Sequence, residues 1–393
     1  MEDIKRVQLS EIVELITKGA TPTTLGYEFQ DEGVNFLKIE CFDENGGFIE
    51  SKVAHISEEC HKKMKRSQLK NGDILFSIAG AIGRVAIVTE EMLPANINQA
   101  LAIIRISDEQ VYLPYIKLIL TSPIVIEQFE RKKQGVAQLN LSLKDINEIS
   151  IPLPSKDEQI ELAELFDKVV GVISKRNKEL SALDDLIKAR FVEMFGDPVS
   201  NPYGYNKVAL SDLADIKIGP FGSLLHKEDY IEGGHPLLNP SHIVEGKVSP
   251  DDKLTISDEK YEELLAYQLK AGDVVLGRRG EMGRCAIVSK EGFLCGTGSI
   301  FIRTKGEVTA DYIQKIISFP SFKKTIEDMA VGQTMPNLNV PIVASFQIIK
   351  PPVEVQNSYH AFVEQVDKSK VAVQKALTET QLLFDSLMQQ YFG

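Results

Sequence analysis

The chain has 393 residues, of which 43% are hydrophobic and 25% are charged, and its formal net charge is −12 at pH 7. This length and composition are typical of a globular protein with two ordinary domains, and they exclude a disordered or fibrous chain. The acidic total disfavours nucleic acid as a partner, although a basic face can be hidden within an acidic sum.

The cysteines show neither a Cys-x-x-Cys spacing nor the Cys/His spacing of a zinc site. Cys41, Cys60, Cys285 and Cys295 are therefore expected to be reduced thiols, mostly buried, with no disulfide framework. No apolar run has membrane-spanning length, and the acidic start MEDIKRVQL does not have the features of a signal peptide. The cytoplasm is the expected location, with no membrane partner.

Residues 1–154 alternate short β-rich runs with turns. The runs DILFSI, RVAIV and ALAIIRI are typical of strands, and NGD and ENGG mark turns between such runs. The stretch after Tyr115 is predicted to be a helix. Residues 1–154 are therefore predicted to form an α+β domain, which ends at the Pro-rich IPLP.

Residues 155–198 are predicted to form a long helix. From Asp157 to about Phe195 there is no proline, and apolar residues recur at spacings of three, four or seven, as in a coiled coil. The residues of this stripe are Leu165, Val169, Val172, Leu180, Leu183, Ile187 and Met194. A helix of about 38 residues is about 57 Å long, which is too long for one small domain to bury.

Residues 199–352 and 353–393 repeat both parts. LKNGDILFSIAGAIGRVAIV from Leu69 returns as LKAGDVVLGRRGEMGRCAIV from Leu269, and the Phe-Gly pair at Phe195 returns at Phe392. The chain is therefore two copies of a unit of about 197 residues. The stripe of the second helix comprises Phe362, Val366, Val373, Leu377, Phe384, Leu387 and Tyr391.

Each helical stripe needs a partner. Two independent surface helices are one possibility, but we expect the two helices to pack on each other. The predicted fold class is α+β, with two similar α/β domains separated by two long antiparallel helices that form a coiled coil with an internal pseudo-twofold. This pairing would place the two domains at opposite ends of a rod.

No motif predicts catalysis. The sequence has no G-x-x-x-x-G-K-[ST] loop, and NPSH and NPYG lack the second proline of an amino-methyltransferase motif. We therefore predict a chain that binds and organises. One alternative is an adaptor that joins proteins through its coiled coil without binding DNA, which the acidic total favours. Another is a methyltransferase or nuclease with a degenerate motif.

The two copies differ most in the middle of the repeated stretch, where FSIAGAI becomes LGRRGEM. A constant scaffold around a changed loop is expected if each copy presents one fold to a different ligand. Arg278 and Arg279 of this loop belong to the residue type that reaches guanine edges and phosphates. Arg278 is therefore predicted to select a base, and its replacement by alanine to relax base choice in one half of the target.

Basic clusters and polar side chains in matching loops extend the predicted DNA-binding set. In the first copy this set is Lys63, Lys65, Arg66, Ser77, Arg84, Asn98, Gln99, Gln134, Gln138 and Asn140. In the second copy it is Arg278, Arg279, Arg284, Thr297, Ser299, Gln333, Thr334, Asn337 and Asn339.

The tract GVAQLNLSLKDINEISIPLPSKDEQ is followed by a helix that ends in KARFVEMFGDP, and weaker repeats of both, GQTMPNLNVPIVASFQIIKPPVEVQ and SLMQQYFG, occur in copy two. With LKNGDILFSIAGAIGRVAIV, this order resembles the specificity subunit of type I restriction–modification systems. The resemblance covers the whole chain. It implies that residues 1–154 and 199–352 are target recognition domains, each reading one half of a split double-stranded DNA sequence.

The resemblance also implies roles for the helices and for other subunits. The helices, residues 155–198 and 353–393, would set the spacing and dock modification (methyltransferase) subunits. Methyl transfer from S-adenosylmethionine and ATP/Mg-dependent cleavage would belong to the modification and restriction subunits, leaving this chain with no cofactor and no metal. These partners could supply much of the phosphate neutralisation that an acidic chain lacks. Copy two departs from the pattern at the helix entry, where VEVQ replaces KDEQ.

Overall fold

The structure is a computed structural model and describes residues 5–130, 140–220, 224–332 and 337–392. The chain divides into two compact units. Unit 1 comprises Met1–Lys178 with Gln374–Gly393, and unit 2 comprises Glu179–Val373. Each unit therefore contains one mixed domain and a part of both long helices.

The strands of unit 1 are β1 (Arg6–Gln8), β2 (Val13–Lys18), β3 (Val34–Leu37), β4 (Ala54–Ile56), β5 (Ile74–Ser77), β6 (Val85–Ile87), β7 (Ala95–Ile97), β8 (Leu101–Ile106) and β9 (Ser150–Pro152). Unit 1 is built on an antiparallel sheet with the strand order β2-β8-β5-β6, accompanied by the three-stranded sheet β4-β3-β7 and the pair β1-β9. Its helices are α1 (Glu58–Lys63), α2 (Leu113–Leu120), α3 (Pro123–Glu130), α4 (Leu143–Asn147) and the first long helix, α5 (Lys156–Phe195), which continues into unit 2.

The central sheet of unit 1 is covered on both faces. Successive strand residues point to opposite faces. Ile74 and Phe76 of β5 therefore pack in the cluster that contains residues of α2, α3 and α5. Leu75, between them, packs with Ile97 of the three-stranded sheet. This double burial explains why β5 reads as an unbroken apolar run.

The strands of unit 2 are β10 (Lys207–Ala209), β11 (Ala214–Ile218), β12 (Tyr230–Ile231), β13 (His235–Leu238), β14 (Ile243–Val244), β15 (Lys247–Val248), β16 (Thr255–Ile256), β17 (Val274–Gly277), β18 (Cys285–Ile287), β19 (Leu294–Cys295), β20 (Ser299–Thr304) and β21 (Gln347–Ile349). Unit 2 repeats the plan of unit 1, with the strand order β11-β20-β17-β18 in its central sheet. Its helices are α6 (Leu210–Leu213), α7 (Asp258–Glu263), α8 (Ala310–Ser318), α9 (Pro320–Met329), α10 (Val340–Ala344) and the second long helix, α11 (Val353–Phe392), which ends in unit 1. Register repeats too, because Val274 pairs with Ile302 as Ile74 pairs with Ile104.

In unit 1, the first part of α5 packs on the last part of α11. The ring of Phe166 lies 5.5 Å from that of Phe384 and 5.6 Å from that of Phe392, between centroids. Ten residues further along α5, Arg176 donates to the hydroxyl of Thr380 at 2.6 Å. Residue numbers rise along α5 as they fall along α11, so the two helices run antiparallel.

In unit 2, the rest of α5 packs on the first part of α11 in the same sense. Lys370 forms an ion pair with Asp184 at 2.5 Å. The hydroxyl of Tyr359 donates to the carbonyl of Ile187 at 3.3 Å, and its ring lies 5.5 Å from that of Phe191. The predicted α+β fold with two antiparallel long helices is confirmed, and each of these helices has 40 residues.

The predicted stripes lie on the packed side of the long helices, with one exception. Val172 is 39% exposed, so its assignment to the stripe is wrong. The other residues of both stripes are buried or half-buried. Phe166, Phe191 and Tyr359 are among the most deeply buried residues of the helices, although none of them belongs to the predicted stripes.

A buried glutamine fixes the start of each long helix. Gln159 accepts a hydrogen bond from the Tyr112 N–H at 2.9 Å and donates to the Pro154 carbonyl at 2.9 Å. Gln356 makes the equivalent bonds, from the Thr309 N–H and to the Pro351 carbonyl, both at 2.9 Å. The change from KDEQ to VEVQ therefore leaves this anchor intact.

The four cysteines are free and buried. Burial raises the pKa of the Cys285 thiol to about 12, which makes it a poor nucleophile at neutral pH. Over the described ranges, no helix is both long and apolar enough to cross a bilayer.

Candidate nucleic-acid interface

In unit 1, four loops meet at one end of the central sheet. Ile78, after β5, donates its N–H to the Ala100 carbonyl at 2.9 Å and accepts from the Leu141 N–H at 3.0 Å. Gly19, after β2, donates to the Leu101 carbonyl at 3.4 Å. These bonds join loops that are far apart in sequence. We call residues 19–21, 78–84, 98–100 and 140–142 loop cluster 1.

Unit 2 builds the same arrangement with the same backbone bonds. Arg278 donates its N–H to the Gly298 carbonyl at 3.0 Å and accepts from the Leu338 N–H at 2.9 Å. Gly219 donates to the Ser299 carbonyl at 3.1 Å. We call residues 219–220, 278–284, 296–299 and 337–339 loop cluster 2. The backbone scaffold is therefore duplicated, whereas the side chains that it carries differ.

Both loop clusters require a glycine directly after the first strand of the central sheet, which is β2 in unit 1 and β11 in unit 2. A Cβ atom on Gly19 would lie 2.0 Å from the carbonyl oxygen of Ile97, and one on Gly219 would lie 2.0 Å from that of Gly296. Both distances are far below van der Waals contact, so only glycine fits this close approach. This pair was not among the predicted site residues, although a glycine directly follows the strand in both copies.

The polar residues predicted for the first copy lie partly at the surface of loop cluster 1. Gln99 and Asn140 are exposed and Asn98 is half-buried. The hydroxyl of Thr21 donates to the side-chain oxygen of Gln99. The Asn98 side chain accepts from the Ala100 N–H at 3.2 Å, so this amide also shapes its own loop.

The counterparts in loop cluster 2 include Arg279, Thr297 and Asn339, all exposed, and the half-buried Asn337. The Asn339 side chain accepts from the Ile342 N–H at 2.9 Å and thereby caps α10. Ser142 caps α4 in the same way in unit 1. Gln134, Gln138, Gln333 and Thr334 lie outside the described residues, and their DNA-binding role stays a prediction.

Two serines were wrongly predicted to contact DNA. Ser77 and Ser299 are each 0% exposed, because they lie in the strands beneath the loops. The Ser77 hydroxyl donates to the Ala79 carbonyl at 3.0 Å and fixes the start of its loop. Neither hydroxyl can reach a base edge from this position.

The duplicated arginines at the far end of the changed loop have a structural role. Arg84 donates to the Phe42 carbonyl at 3.2 Å, and Arg284 donates to the Pro240 carbonyl at 3.4 Å. Arg284 also pairs with Glu281 at 3.0 Å. The hydrogen bonds of Glu281 with Lys323 and Arg284 lower the pKa of this carboxyl. These contacts close each loop onto a neighbouring segment of its unit. They engage all three guanidinium nitrogens of Arg284, whereas the Arg84 contact uses Nη1 alone.

Arg278 is also occupied within the protein. Its Nε donates to the Leu338 carbonyl at 2.9 Å and its Nη1 to the Thr297 carbonyl at 3.3 Å. Burial, followed by the charge of Arg279, lowers the pKa of this guanidinium. The predicted direct base contact of Arg278 therefore conflicts with the position that its side chain occupies.

The first copy has a basic segment at the end of α1, residues 63–66, which we call the α1 segment. It has no basic counterpart in the second copy. Lys63, Lys65 and Arg66 are exposed at the end of α1 and in the turn that follows. Asn96 of β7 holds this turn by donating to the Met64 carbonyl at 3.0 Å. At the matching positions unit 2 carries Glu263, Leu265 and Ala266. We therefore expect the two units to approach a polyanion differently.

A family sequence model described as "Type I restriction modification DNA specificity domain" matches this chain twice, over residues 1–182 and 202–381. The chain therefore belongs to this family of DNA specificity proteins and carries its domain in two copies.

Individual relatives agree with this assignment. The type I restriction enzyme EcoBI specificity subunit of Escherichia coli is 32% identical over 171 residues, a match that covers 42% of this chain and 35% of that protein. The MjaVIII specificity subunit of Methanocaldococcus jannaschii is 23% identical over 418 residues, covering 95% of this chain and 90% of that protein.

Solved structures share the fold. A chain from a study of complex assembly and conformational transition of the type I R-M system has a TM-score of 0.64 at 18% identity, covering 98% of this chain and 95% of that one. The type I restriction-modification S subunit from M. genitalium has a TM-score of 0.56 at 14% identity, covering 100% of this chain and 97% of that one.

Proposed function

We propose that this chain selects the DNA sequence for a type I restriction–modification complex, and that each unit reads one half of a bipartite target. The observation that carries the proposal is the duplicated loop cluster. The same backbone bonds hold Ile78 in unit 1 and Arg278 in unit 2. Two sites with one scaffold and different side chains are suited to two different half-sequences.

Base selection in this proposal depends on the exposed side chains of the clusters. Gln99 and Asn140 in unit 1 and Arg279 and Thr297 in unit 2 carry donors and acceptors that match base edges. A good bidentate contact discriminates against the wrong base by about 1–3 kcal/mol. The exposed cations of the α1 segment, such as Lys63, would bind phosphates, which adds affinity and register but no sequence information.

The long helices would set the spacing of the half-sites and dock the modification subunits. Both helices carry exposed apolar side chains, which a docked subunit would remove from water. These residues are Val172, Leu186, Val192, Val371, Leu382 and Leu383. Leu186 and Leu383 occupy matching positions of the two copies, in keeping with two docking sites of one kind.

Chemistry would belong to the partner subunits in this proposal. Modification subunits would transfer the methyl group from S-adenosylmethionine, and restriction subunits, where present, would use ATP and Mg²⁺. This chain would then act without catalysing a reaction, in the cytoplasm. Its net charge of −12 would be tolerated because the partners contribute to phosphate neutralisation.

The test is to sequence methylated sites in cells that express the chain with its modification partner. We expect a motif of two specified halves separated by an unspecified gap. The purified complex should also shift target DNA in a salt-sensitive manner. A contiguous motif, or an adaptor-like assembly with partners but without a shift, would contradict the proposal.

A further inference from the structure

We infer that the two neighbouring arginines of loop cluster 2 have different roles. Arg279 contacts a DNA base and determines specificity, whereas Arg278 is a positioning residue that holds the loop in place. This inference rests on the proposed function and deepens it. It names the side chain that determines specificity in one of the two half-sites.

Arg278 joins three segments of loop cluster 2. Its guanidinium donates to the carbonyls of Leu338 and Thr297 at 2.9 and 3.3 Å, while its own backbone bonds to Gly298 and Leu338. The planar guanidinium has donors in a fixed fork, which suits it to link two carbonyls at once. The Arg278 side chain therefore links the loops to one another, and these bonds fix the loop conformation before any ligand binds.

Arg279 directly follows Arg278 in this loop, and its side chain is exposed. Its backbone pairs with that of Asn337 in an isolated antiparallel bridge. Asn337 in turn exchanges hydrogen bonds with Val331, at 3.0 and 3.2 Å. The Arg279 guanidinium forms no ion pair or hydrogen bond with another residue that the structure describes. An exposed guanidinium on a backbone held by cross-loop hydrogen bonds suits bidentate recognition of guanine O6 and N7.

The residues at the matching positions in unit 1 cannot contact a base in the same way. Ile78, in place of Arg278, is buried at 5% exposure, and Ala79, in place of Arg279, has no polar side-chain group. The effect of changing Arg279 should therefore be confined to the half-site read by unit 2. The other half-site then serves as an internal control within the same complex.

The experiment compares Arg279→Ala and Arg279→Lys in the complete modification complex, with the methylated motif as the readout. Lysine keeps the charge but lacks the planar fork of donors that fixes the geometry of the bidentate pair. We expect both variants to lose about 5- to 150-fold discrimination, at one position of one half-site only. Arg66→Ala, which removes an exposed arginine of the α1 segment, should weaken methylation of all sites without changing the motif.

The positioning role of Arg278 is tested by a double-mutant cycle. Arg278→Met should reduce discrimination at the same position, and this loss should vanish when Arg279 is already alanine, because Arg278 then has nothing to position. A global loss of fold would instead affect both half-sites.

Two results would overturn the assignment. A motif that is unchanged in Arg279→Lys but uniformly weakened in Arg279→Ala would mean that Arg279 binds phosphate. A discrimination loss from Arg278→Met that persists in the Arg279→Ala background would make Arg278 a reader itself. If the wild-type complex shows no split motif, the proposed function fails first, and this result is distinct from both.

Discussion

Asp73 and Arg105 form a buried ion pair in unit 1, and Asp273 and Arg303 repeat it in unit 2. The shortest contacts are 2.7 and 2.6 Å, and each aspartate also accepts a hydrogen bond from the backbone N–H three residues before it, at 2.8 Å. The hydrogen bonds that each arginine donates to its aspartate raise the pKa of that arginine. Each pair ties the turn before the central strand to the neighbouring strand, and so supports the sheet from which the loop cluster projects.

Replacing Asp73 with asparagine keeps the size of the side chain but removes the charge opposite Arg105. Breaking a buried pair by removing one partner costs about 3–5 kcal/mol. We therefore expect D73N to lower the melting temperature and to speed hydrogen exchange in β5 and β8. The matched variant D273N should cost less, because the Arg303 side chain is 33% exposed whereas that of Arg105 is 13% exposed. Calorimetry and hydrogen exchange would show this order, and equal losses would contradict it.

Residue-level predictions from the sequence succeeded where local pattern determines position. Arg279 is exposed in a loop, as its polar, Gly-rich surroundings indicate, and Gln99 is exposed in a loop beside Asn98. They failed where burial depends on non-local pairing. Ser77 looks like a loop residue, but its backbone pairs with Leu101 of β8 and the loops cover it. Arg278 is held by carbonyls 19 and 60 residues away along the chain, and no local signal reports such partners.

The α1 segment shows how one element can differ in charge between the copies. Both α1 and α7 begin at a serine that caps the helix, yet Lys63, Lys65 and Arg66 in unit 1 correspond to Glu263, Leu265 and Ala266 in unit 2. In the described part of the chain, no ion pair occupies the three cations of unit 1. Phosphate contacts from this element would therefore be made by unit 1 alone.

Replacing Lys63, Lys65 and Arg66 together by alanine should weaken DNA binding on every sequence. Each lost phosphate contact lowers the slope of log affinity against log salt by about 0.9. Titrations at several salt concentrations would measure this slope, and the methylated motif should stay unchanged. The matched variant E262A/E263A in α7 removes charge of the opposite sign and should not reduce affinity. A changed motif in the triple variant would mean that this segment reads bases.

At the scale of elements, periodicity predicted the two long helices well, because a stripe at heptad spacing leaves few other structures. The pairing of strands was harder to predict from the sequence. β3 runs parallel to β7, with Phe36 opposite Asn96, although about sixty residues lie between them in the sequence. Such pairing depends on which strands fill the second face of the central sheet, and the sequence of one strand does not specify it.

At the scale of the whole molecule, duplication allowed the sequence to predict the architecture. Each copy contributes one long helix, whose apolar stripe must be buried, and one set of loops. The second copy therefore provides a partner helix and a second loop cluster. α5 continues without a break past the boundary between the units at Lys178. The same holds for α11 at Val373. Each long helix therefore contributes to the core of both units, and its length is a property of the whole chain.

Helix length should therefore control the gap in the DNA target. We expect that deleting seven residues around Arg176 in α5, together with seven around Ala376 in α11, shortens the unspecified gap. Seven residues span about 10 Å of helix, the length of about three base pairs. Because seven residues make about two turns, the flanking apolar stripes stay aligned to about 20°. The packing of Phe166 and Phe191 is then preserved, and both half-sequences should stay unchanged.

The control for this experiment deletes seven residues from α5 alone. That variant shifts the antiparallel register, so that Asp184 no longer lies opposite Lys370, and it should lose stability and methylation together. Methylated-site sequencing of the paired deletion gives the gap directly. If the paired deletion folds and methylates with the original gap, the helices do not set the spacing, and the distance between half-sites must then be fixed by the partner subunits.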